Sequence, residues 1–467
     1  MSNSKASWLD LFREGRSSYT ILLNLGIALH AIDIFIITTI MPTVVNDIGG
    51  ISYYAWTSML YMVGTIIGAA AGAYMRDRLG TQRGYIWGGL TLLFGTIACA
   101  IPPDMATLLI ARLLKGVGGG LVISQSMALV RDLYSPNIRT RILATISTTW
   151  SVAALFGPGV GGVFAELETW RGSFWAQAPF VILFVIMAWK LIPNQKTATV
   201  KKRFPWRRLL MLALGVLAAG LTNQYKIPLI SLGLIILAIL LVWITFRRDS
   251  TSDIKLFPSN ALSIFSPVGL AYWSYFLISV THTTLLIFAP LFLQILHELT
   301  PLLLGYLSLT FSIGWTLGSI IASGWSGFWE RSGSTIGMIF SAITTVIFTM
   351  SILSGNIFTI TFWSALIGLG IGATNVLMTN YGMSVAREGE EAITAAAMPT
   401  IRSLGVAFGA AAAGLMANTA GLDQGISKEI IYDVAFWVLG FTAIIPAVSA
   451  LFCLRAATWG WKFRTER

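Results

Sequence analysis

The chain has 467 residues, 55% of them hydrophobic and 11% charged, with a mean hydropathy of +0.75. A soluble domain carries about 25% charged residues, so this composition cannot cover a globular surface with water-compatible groups. The 26 Phe, 17 Trp and 13 Tyr exclude disorder. Two cysteines, Cys99 and Cys453, both inside apolar runs, exclude a disulfide scaffold, and three histidines (His30, His282, His297) at no metal-ligand spacing leave no metal site to expect. What remains is an all-α polytopic membrane protein.

A helix crosses about 30 Å of hydrocarbon with roughly 20 residues. Apolar runs of that order cover 20–42, 53–74, 84–101, 106–130, 141–165, 173–193, 208–224, 227–246, 262–295, 299–323, 334–353, 357–382, 392–416 and 430–454. The first is too long for a signal h-region and no small-residue cleavage site follows it, so it reads as a retained helix. The run 262–295 is long, with candidate breaks at Pro267 and Pro290. The run 208–224 is short. Fourteen spans is the reading, with twelve plus an interfacial pair as the alternative.

A net charge of +11 raises the question of nucleic acid, but the placement of the charge answers it. With an even span count both termini share a side. If that side is the cytoplasm, the inner segments hold 25 of the 31 Lys and Arg, and the outer segments hold only Arg171, Lys226 and Lys428. That bias follows the positive-inside rule. It implies a multi-pass protein of the inner (plasma) membrane with both termini cytoplasmic. Its basic residues orient helices and touch anionic membrane lipid, and no nucleic-acid partner is expected.

The chain repeats itself. Gly64-Thr65-Ile66-Ile67 in span 2 returns 254 residues later as Gly318-Ser319-Ile320-Ile321 in span 10. Asp77-Arg78-Leu79-Gly80-Thr81, which ends span 2, returns 253 residues later as Glu330-Arg331-Ser332-Gly333-Ser334, which reads as the end of span 10. Both strings fall on one membrane face, so the halves read as parallel repeats. The expected organisation is a six-helix half over 1–193, a basic linker with an inserted two-helix hairpin over 194–256, and a second six-helix half with a short tail over 257–467.

At these residues the sequence resembles the major facilitator superfamily, and its fourteen spans resemble the drug:proton antiporter branch. The loop from Gly72 through Asp77, Arg78, Gly80 and Arg83 is similar to the family's G-x-x-x-D-R-x-G-R-[KR] signature. Its first Gly is displaced by one, and Thr81 and Gln82 stand where basic residues close the pattern. Arg112-Leu113-Leu114-Lys115-Gly116-Val117-Gly118 resembles the span-4 signature R-x-x-x-G-x-G. Gly157-Pro158-Gly159-Val160-Gly161-Gly162 resembles the antiporter signature G-P-x-x-G-G, with Ala153 at its usual earlier glycine. Asp33, nine residues before Pro42, and Arg402 in span 13 also match the branch. The resemblance implies the major-facilitator fold and export of a small molecule against proton entry. It also implies a latch in which Asp77 holds the halves together when the transporter opens outward, with the inner end of span 13 as candidate partner. The Gly157-Pro158 step is expected to kink span 5 at a contact between halves.

The residues carry their own argument. Asp33 is the one acid in mid-span, and intramembrane carboxylates face cavities and mark pathways. His30 shares its helical face, and Arg112 is the obvious partner. A structural ion pair locking spans 1 and 4 and a proton-binding site are both open. In the second reading Asp33→Asn removes proton coupling and leaves the fold intact. Lys115, one turn from Arg112, either snorkels to the headgroups or faces the cavity, where it would suit an anionic or zwitterionic substrate. His282 falls one residue from the repeat position of His30 and is a substrate or proton ligand candidate. Gln125, Trp150, Tyr272, Trp273, Tyr275, Trp315 and Asn375 complete the candidate substrate cavity, while Trp170, Trp206 and Trp243 fit interfacial belts.

No G-x-x-x-x-G-K-[ST] loop occurs, so ATP-driven transport within this chain is not expected. No acid/base or nucleophile cluster supports a membrane enzyme, and no cofactor is expected. The reading is a monomeric proton-coupled exporter of a small amphipathic drug or metabolite. The alternative is a dedicated exporter or importer of an anionic metabolite, siderophore or lipid.

Overall fold

In a computed structural model of the chain, the residues described are 11–13, 15–134, 136–193, 204–222, 225, 228–252 and 255–460. Among the described residues, each apolar run holds a helix. The elements are α1 (Arg16–Ile48), α2 (Trp56–Leu79), α3 (Thr81–Ala100), α4 (Met105–Leu133), α5 (Pro136–Glu166), α6 (Gly172–Trp175), α7 (Ala178–Leu191), α8 (Trp206–Leu221), α9 (Pro228–Ser250), α10 (Pro267–His297), α11 (Pro301–Ser323), α12 (Gly327–Ser354), α13 (Ile357–Ser384), α14 (Glu391–Thr419) and α15 (Lys428–Arg455). The single turn α6 leads directly into α7, and together they make the sixth predicted run. Length and apolarity mark 11 crossings among the described residues, and α3, α5 and α8 fall outside that set. At 16 residues α8 is short, as its run suggested.

Helix starts follow local chemistry. Asp104, Ser266, Thr300 and Ser427 each cap a first turn by accepting from a backbone amide three residues on. Pro267 and Pro301 sit at the first helical position, where no amide hydrogen is needed. The break at Pro267 is therefore a helix start, and Pro290 lies inside α10.

The chain forms two compact units, Met1–Ile48 with Leu60–Phe204, and Gly49–Met59 with Pro205–Arg467. In the first, α1 packs on α4, α5 and α7, and α3 packs on α4 and α7. In the second, α10 packs on α13, α14 and α15, and α12 packs on α13 and α15. The same neighbour set recurs under the substitution of α10–α15 for α1–α7. The second unit also holds α8, which packs on α14 and carries α9.

Glycine decides how closely these helices approach. A Cβ at Gly64 or Gly68 would run into the Leu113 or Val117 carbonyl of α4, and one at Gly116 or Gly120 into the Tyr61 or Thr65 carbonyl of α2. The second unit repeats this, with Gly314 and Gly318 facing Ala365 and Leu369, and Gly368 and Gly372 facing Phe311 and Trp315. Small residues at these spacings let backbones touch, which drives helix association in lipid. On α5, the signature glycines Gly157 and Gly161 lie against Phe35, Ile36 and Thr39 of α1 in the same unit, with Pro158 inside the helix.

Two expectations are corrected. Glu330-Arg331-Ser332-Gly333-Ser334 does not end α11. The turn comes earlier, at Gly327 with φ +59°, so the string opens α12, where Trp325 covers Gly333. In the first unit Gly80 makes the corresponding turn itself, with φ +85°. Trp170 is no belt residue. It is buried, its Nε1 donates to Asp47 Oδ2 at 3.0 Å, and the Arg171 guanidinium lies 4.2 Å from its ring centroid. Its indole N–H finds a carboxylate, so it needs no headgroup. Trp206 and Trp243 are exposed.

The strap between α9 and α10 is tied at two acids. Asp249 accepts from Arg208 and from the backbone amides of Leu256 and Phe257. Glu390, just before α14, accepts from Lys255 Nζ at 2.9 Å and from the Ser259 hydroxyl and amide at 2.6 and 2.9 Å. Burial pushes the Glu390 carboxyl up, but the Ser259 hydroxyl, the Lys255 ammonium and the Ser259 amide outweigh it and hold it at about 2. A folded pKa below the ordinary 4.5 stabilises the contact above that pH and loses the stabilisation as pH falls toward 2. The strap is therefore expected to loosen across that window. Amide exchange at Ser259, normalised for intrinsic rate, should show protection falling in the wild type. Glu390→Gln should remove the pH dependence, and equal protection at both ends of the window in the wild type would contradict it.

Candidate functional site

The centre of the first unit is a buried charge cluster. Asp33, on α1, is fully buried and lies between two cations of α4. Arg112 Nη1 donates to Asp33 Oδ2 at 2.5 Å, and Lys115 Nζ donates to Oδ1 at 2.5 Å. Arg112 and Lys115 are three residues apart and so share a helical face. Lys115 does not snorkel: it donates also to Gln177 Oε1 at 3.0 Å and lies 4.7 Å from the Phe174 ring centroid. Gln177 stands at the α6–α7 junction, where its amide nitrogen donates to the Ser173 carbonyl.

A second layer extends from Arg112. Its guanidinium lies 4.3 Å from the Tyr61 ring centroid. The Tyr61 hydroxyl and His30 Nδ1 share a hydrogen bond of 2.7 Å, and His30 meets Trp150 edge-on at 5.9 Å. Gly119 makes room for His30, since a Cβ there would lie 2.7 Å from Nδ1. Asp33, Arg112, His30, Lys115 and Trp150 thus come together in one network.

Such a cluster has definite electrostatics. Charges out of water are held only when paired and hydrogen-bonded. Two cations on one carboxylate leave a buried excess of one positive charge while Asp33 is ionised. Protonating Asp33 would remove the anion that both cations bind.

The sequence reading missed Tyr61 and Gln177. Tyr61 precedes Gly64 by one turn of the glycine stripe, and Gln177 is the one amide side chain in the run 173–193. Both signals were present but unspecific.

The other candidates lie elsewhere. Gln125 is buried between α3 and α4, where its amide donates to the Gly84 carbonyl at 2.9 Å. In the second unit, His282 stacks on Phe311 at 5.1 Å and meets Trp315 at 5.3 Å, and Arg402 stands on α14. His282 opens onto a cavity of about 40 Å³ with Ser308, Ser312 and Ser364 in its wall, space for about one water. Tyr272 donates to the Thr394 carbonyl and Trp273 to the Leu262 carbonyl, on the side of α10 that faces α9 and α14. Tyr275 and Asn375 are half-buried and make no side-chain hydrogen bond among the described residues.

Of the loop signature, Arg78 is exposed and lies 5.1 Å from the Tyr74 ring centroid, and Arg83 is exposed. Gln82, in a position the family fills with a basic residue, donates to the Trp189 carbonyl at the end of α7 at 2.7 Å. The side chain of Asp77 lies outside the described residues.

Comparison with known proteins agrees with this architecture. The chain matches the Major Facilitator Superfamily over residues 23–410 and belongs to that family. It is 30% identical to a probable multidrug-efflux transporter of Mycobacterium tuberculosis, over 96% of this chain and 97% of that one. It is 23% identical to a multidrug transporter protein of Bacillus subtilis, over 88% and 77% of the two chains. Among solved structures, a peptide transporter in complex with sulfate superposes with a TM-score of 0.67 at 17% identity, over 95% of each chain. A bacterial homolog of the human lysosomal transporter Spinster, inward-facing and unoccupied, superposes with a TM-score of 0.66 at 15% identity, over 97% of this chain and 99% of that one. The chain is thus a multi-pass membrane transporter of this superfamily.

Proposed function

We propose that this protein exports a small amphipathic molecule against proton entry by alternating access, acting as a monomer in the plasma membrane. It has fourteen spans in two parallel six-helix halves with α8 and α9 inserted as a hairpin, and both termini in the cytoplasm. The observation that carries the reading is Asp33 clamped by Arg112 and Lys115 inside the apolar core of the first unit. An intramembrane acid with partners that must rearrange on protonation is what a proton-coupled carrier needs. Efflux as the direction is supported by the relative that matches along nearly its whole length.

The charge count favours a second reading of the substrate. Protonation of Asp33 leaves Arg112 and Lys115 unbalanced, which draws in an anionic or zwitterionic group and repels a cation. A dedicated exporter of an anionic metabolite fits that electrostatics. Everted vesicles acidified inside decide the matter. Adding a transported dye should release luminal protons, and competition between cationic and anionic compounds assigns the substrate charge. Accumulation without any proton movement would overturn the coupling.

A further inference from the structure

An apolar hollow of about 400 Å³ lies in the second unit between α9, α10 and α14. Trp243 and Phe246 wall it from α9, Trp273 and Phe276 from α10, and Leu404 and Phe408 from α14. Its lining is nearly all carbon. The polar tips of the two α10 rings that could wet it are already engaged, Trp273 Nε1 with the Leu262 carbonyl at 2.9 Å and the Tyr272 hydroxyl with the Thr394 carbonyl at 2.8 Å. Carbon-lined space of this kind stays dry and gains dispersion contacts from an apolar occupant. Of the 11 candidate spans, the α9 segment is the most apolar and the least buried, and α9 packs chiefly on α8. One side of the hollow is therefore a helix bathed in lipid.

The rim carries charge. The last turn of α9 holds Arg247 and Arg248, both exposed, and the Arg247 guanidinium lies 5.1 Å from the ring centroid of Trp243. The nearby acids are engaged elsewhere, Asp249 by Arg208 and Glu390 by Lys255. Neither Arg247 nor Arg248 has a carboxylate partner among the described residues. An apolar slot with Arg247 beside its wall residue Trp243 is complementary to an anionic head on an apolar chain, whereas Arg248 points to the opposite face of α9.

We infer that this hollow binds one acyl chain of an anionic phospholipid, whose phosphate rests on Arg247. A water takes about 30 Å³ of liquid and a methylene is of similar size, so about a dozen methylenes fit. The basic loops place this end of α9 in the inner leaflet, where anionic headgroups are attracted to juxtamembrane arginine. The bound chain wedges the hairpin against α14, on either side of Arg402, since Ile401 and Leu404 both line the slot.

Photolabelling tests this on the full-length protein in nanodiscs, with phosphatidylglycerol carrying a diazirine in one acyl chain and the labelled peptides mapped by mass spectrometry. Label should concentrate on 239–246 and 401–408. It should drop about fivefold for Arg247→Gln, hold for Arg248→Gln on the opposite face, and drop similarly with a phosphatidylcholine analogue. Leu404→Trp, which fills the slot, should clear both peptides while leaving the exposed face of α12 labelled. If Leu404→Trp fails to fold, the arginine variants and the headgroup comparison still decide. Label spread evenly over the exposed faces of α7, α9 and α12 would overturn the inference. So would equal labelling by the two headgroups, or displacement of the label by ethidium, which would make the slot a substrate site.

Discussion

Asp33→Asn is expected to abolish substrate-driven proton release and also to weaken the fold. The first effect follows from removing the one mid-span acid. The second follows from the two cations. Arg112 and Lys115 each donate to Asp33 at 2.5 Å in a fully buried site, and an amide cannot neutralise them. Removing one partner of a buried ion pair costs about 3–5 kcal/mol. The sequence-based expectation of an intact fold is thus revised, because Arg112 and Lys115 both rest on the buried Asp33. Pairing Asp33→Asn with Lys115→Met returns the cluster to its original net charge. The double variant should regain most of the lost thermal stability while remaining uncoupled. Proton release measured with a pH-sensitive dye, beside a melting curve for each variant, separates the two effects. Full proton release from the double variant would remove Asp33 from the coupling mechanism.

Gly68→Val is expected to eliminate most folded protein. A Cβ at Gly68 collides with the Val117 carbonyl and would lie 2.9 Å from the Leu121 amide nitrogen. Both obstacles are backbone in α4, so no rotamer relieves them and α2 must move away. Overpacking costs about 1–3 kcal/mol even where side chains yield, and here the displaced helix also carries Tyr61 away from Arg112. Gly233→Ala is the control. Nothing lies within 4 Å of a Cβ there, and alanine favours a helix over glycine by up to about 1 kcal/mol. The monodisperse yield after detergent extraction should collapse for the first variant and hold for the second. A wild-type melting midpoint for Gly68→Val would show that α2 and α4 are not in this contact.

The parts of the protein legible in its sequence were those that a membrane enforces residue by residue. Apolar runs near span length became helices because hydrocarbon leaves backbone groups no partner outside their own segment. Asp33 stood out because an acid at mid-span is expensive and so rare. The stripe Gly64–Gly68–Gly72 announced a close helix contact because only small residues let backbones meet.

What the sequence left open depended on how helices rotate and which distant segments they meet. Lys115 was compatible with the headgroups or the core, and only the seating of α4 against α1, 82 residues earlier in the chain, turned it onto Asp33. Gln125 looked like a cavity residue until α3 brought the Gly84 carbonyl to it. Trp170 looked like an interfacial anchor until Asp47, 123 residues away, took its N–H. The apolar run 299–323 ended where α11 does, at Ser323, but the string Glu330–Ser334 was assigned to that end, and the turn at Gly327 puts it in α12 instead. Composition and spacing register the free energy of putting a residue in lipid. Partner choice is a difference between two packed arrangements of similar burial, and only tertiary contacts resolve it.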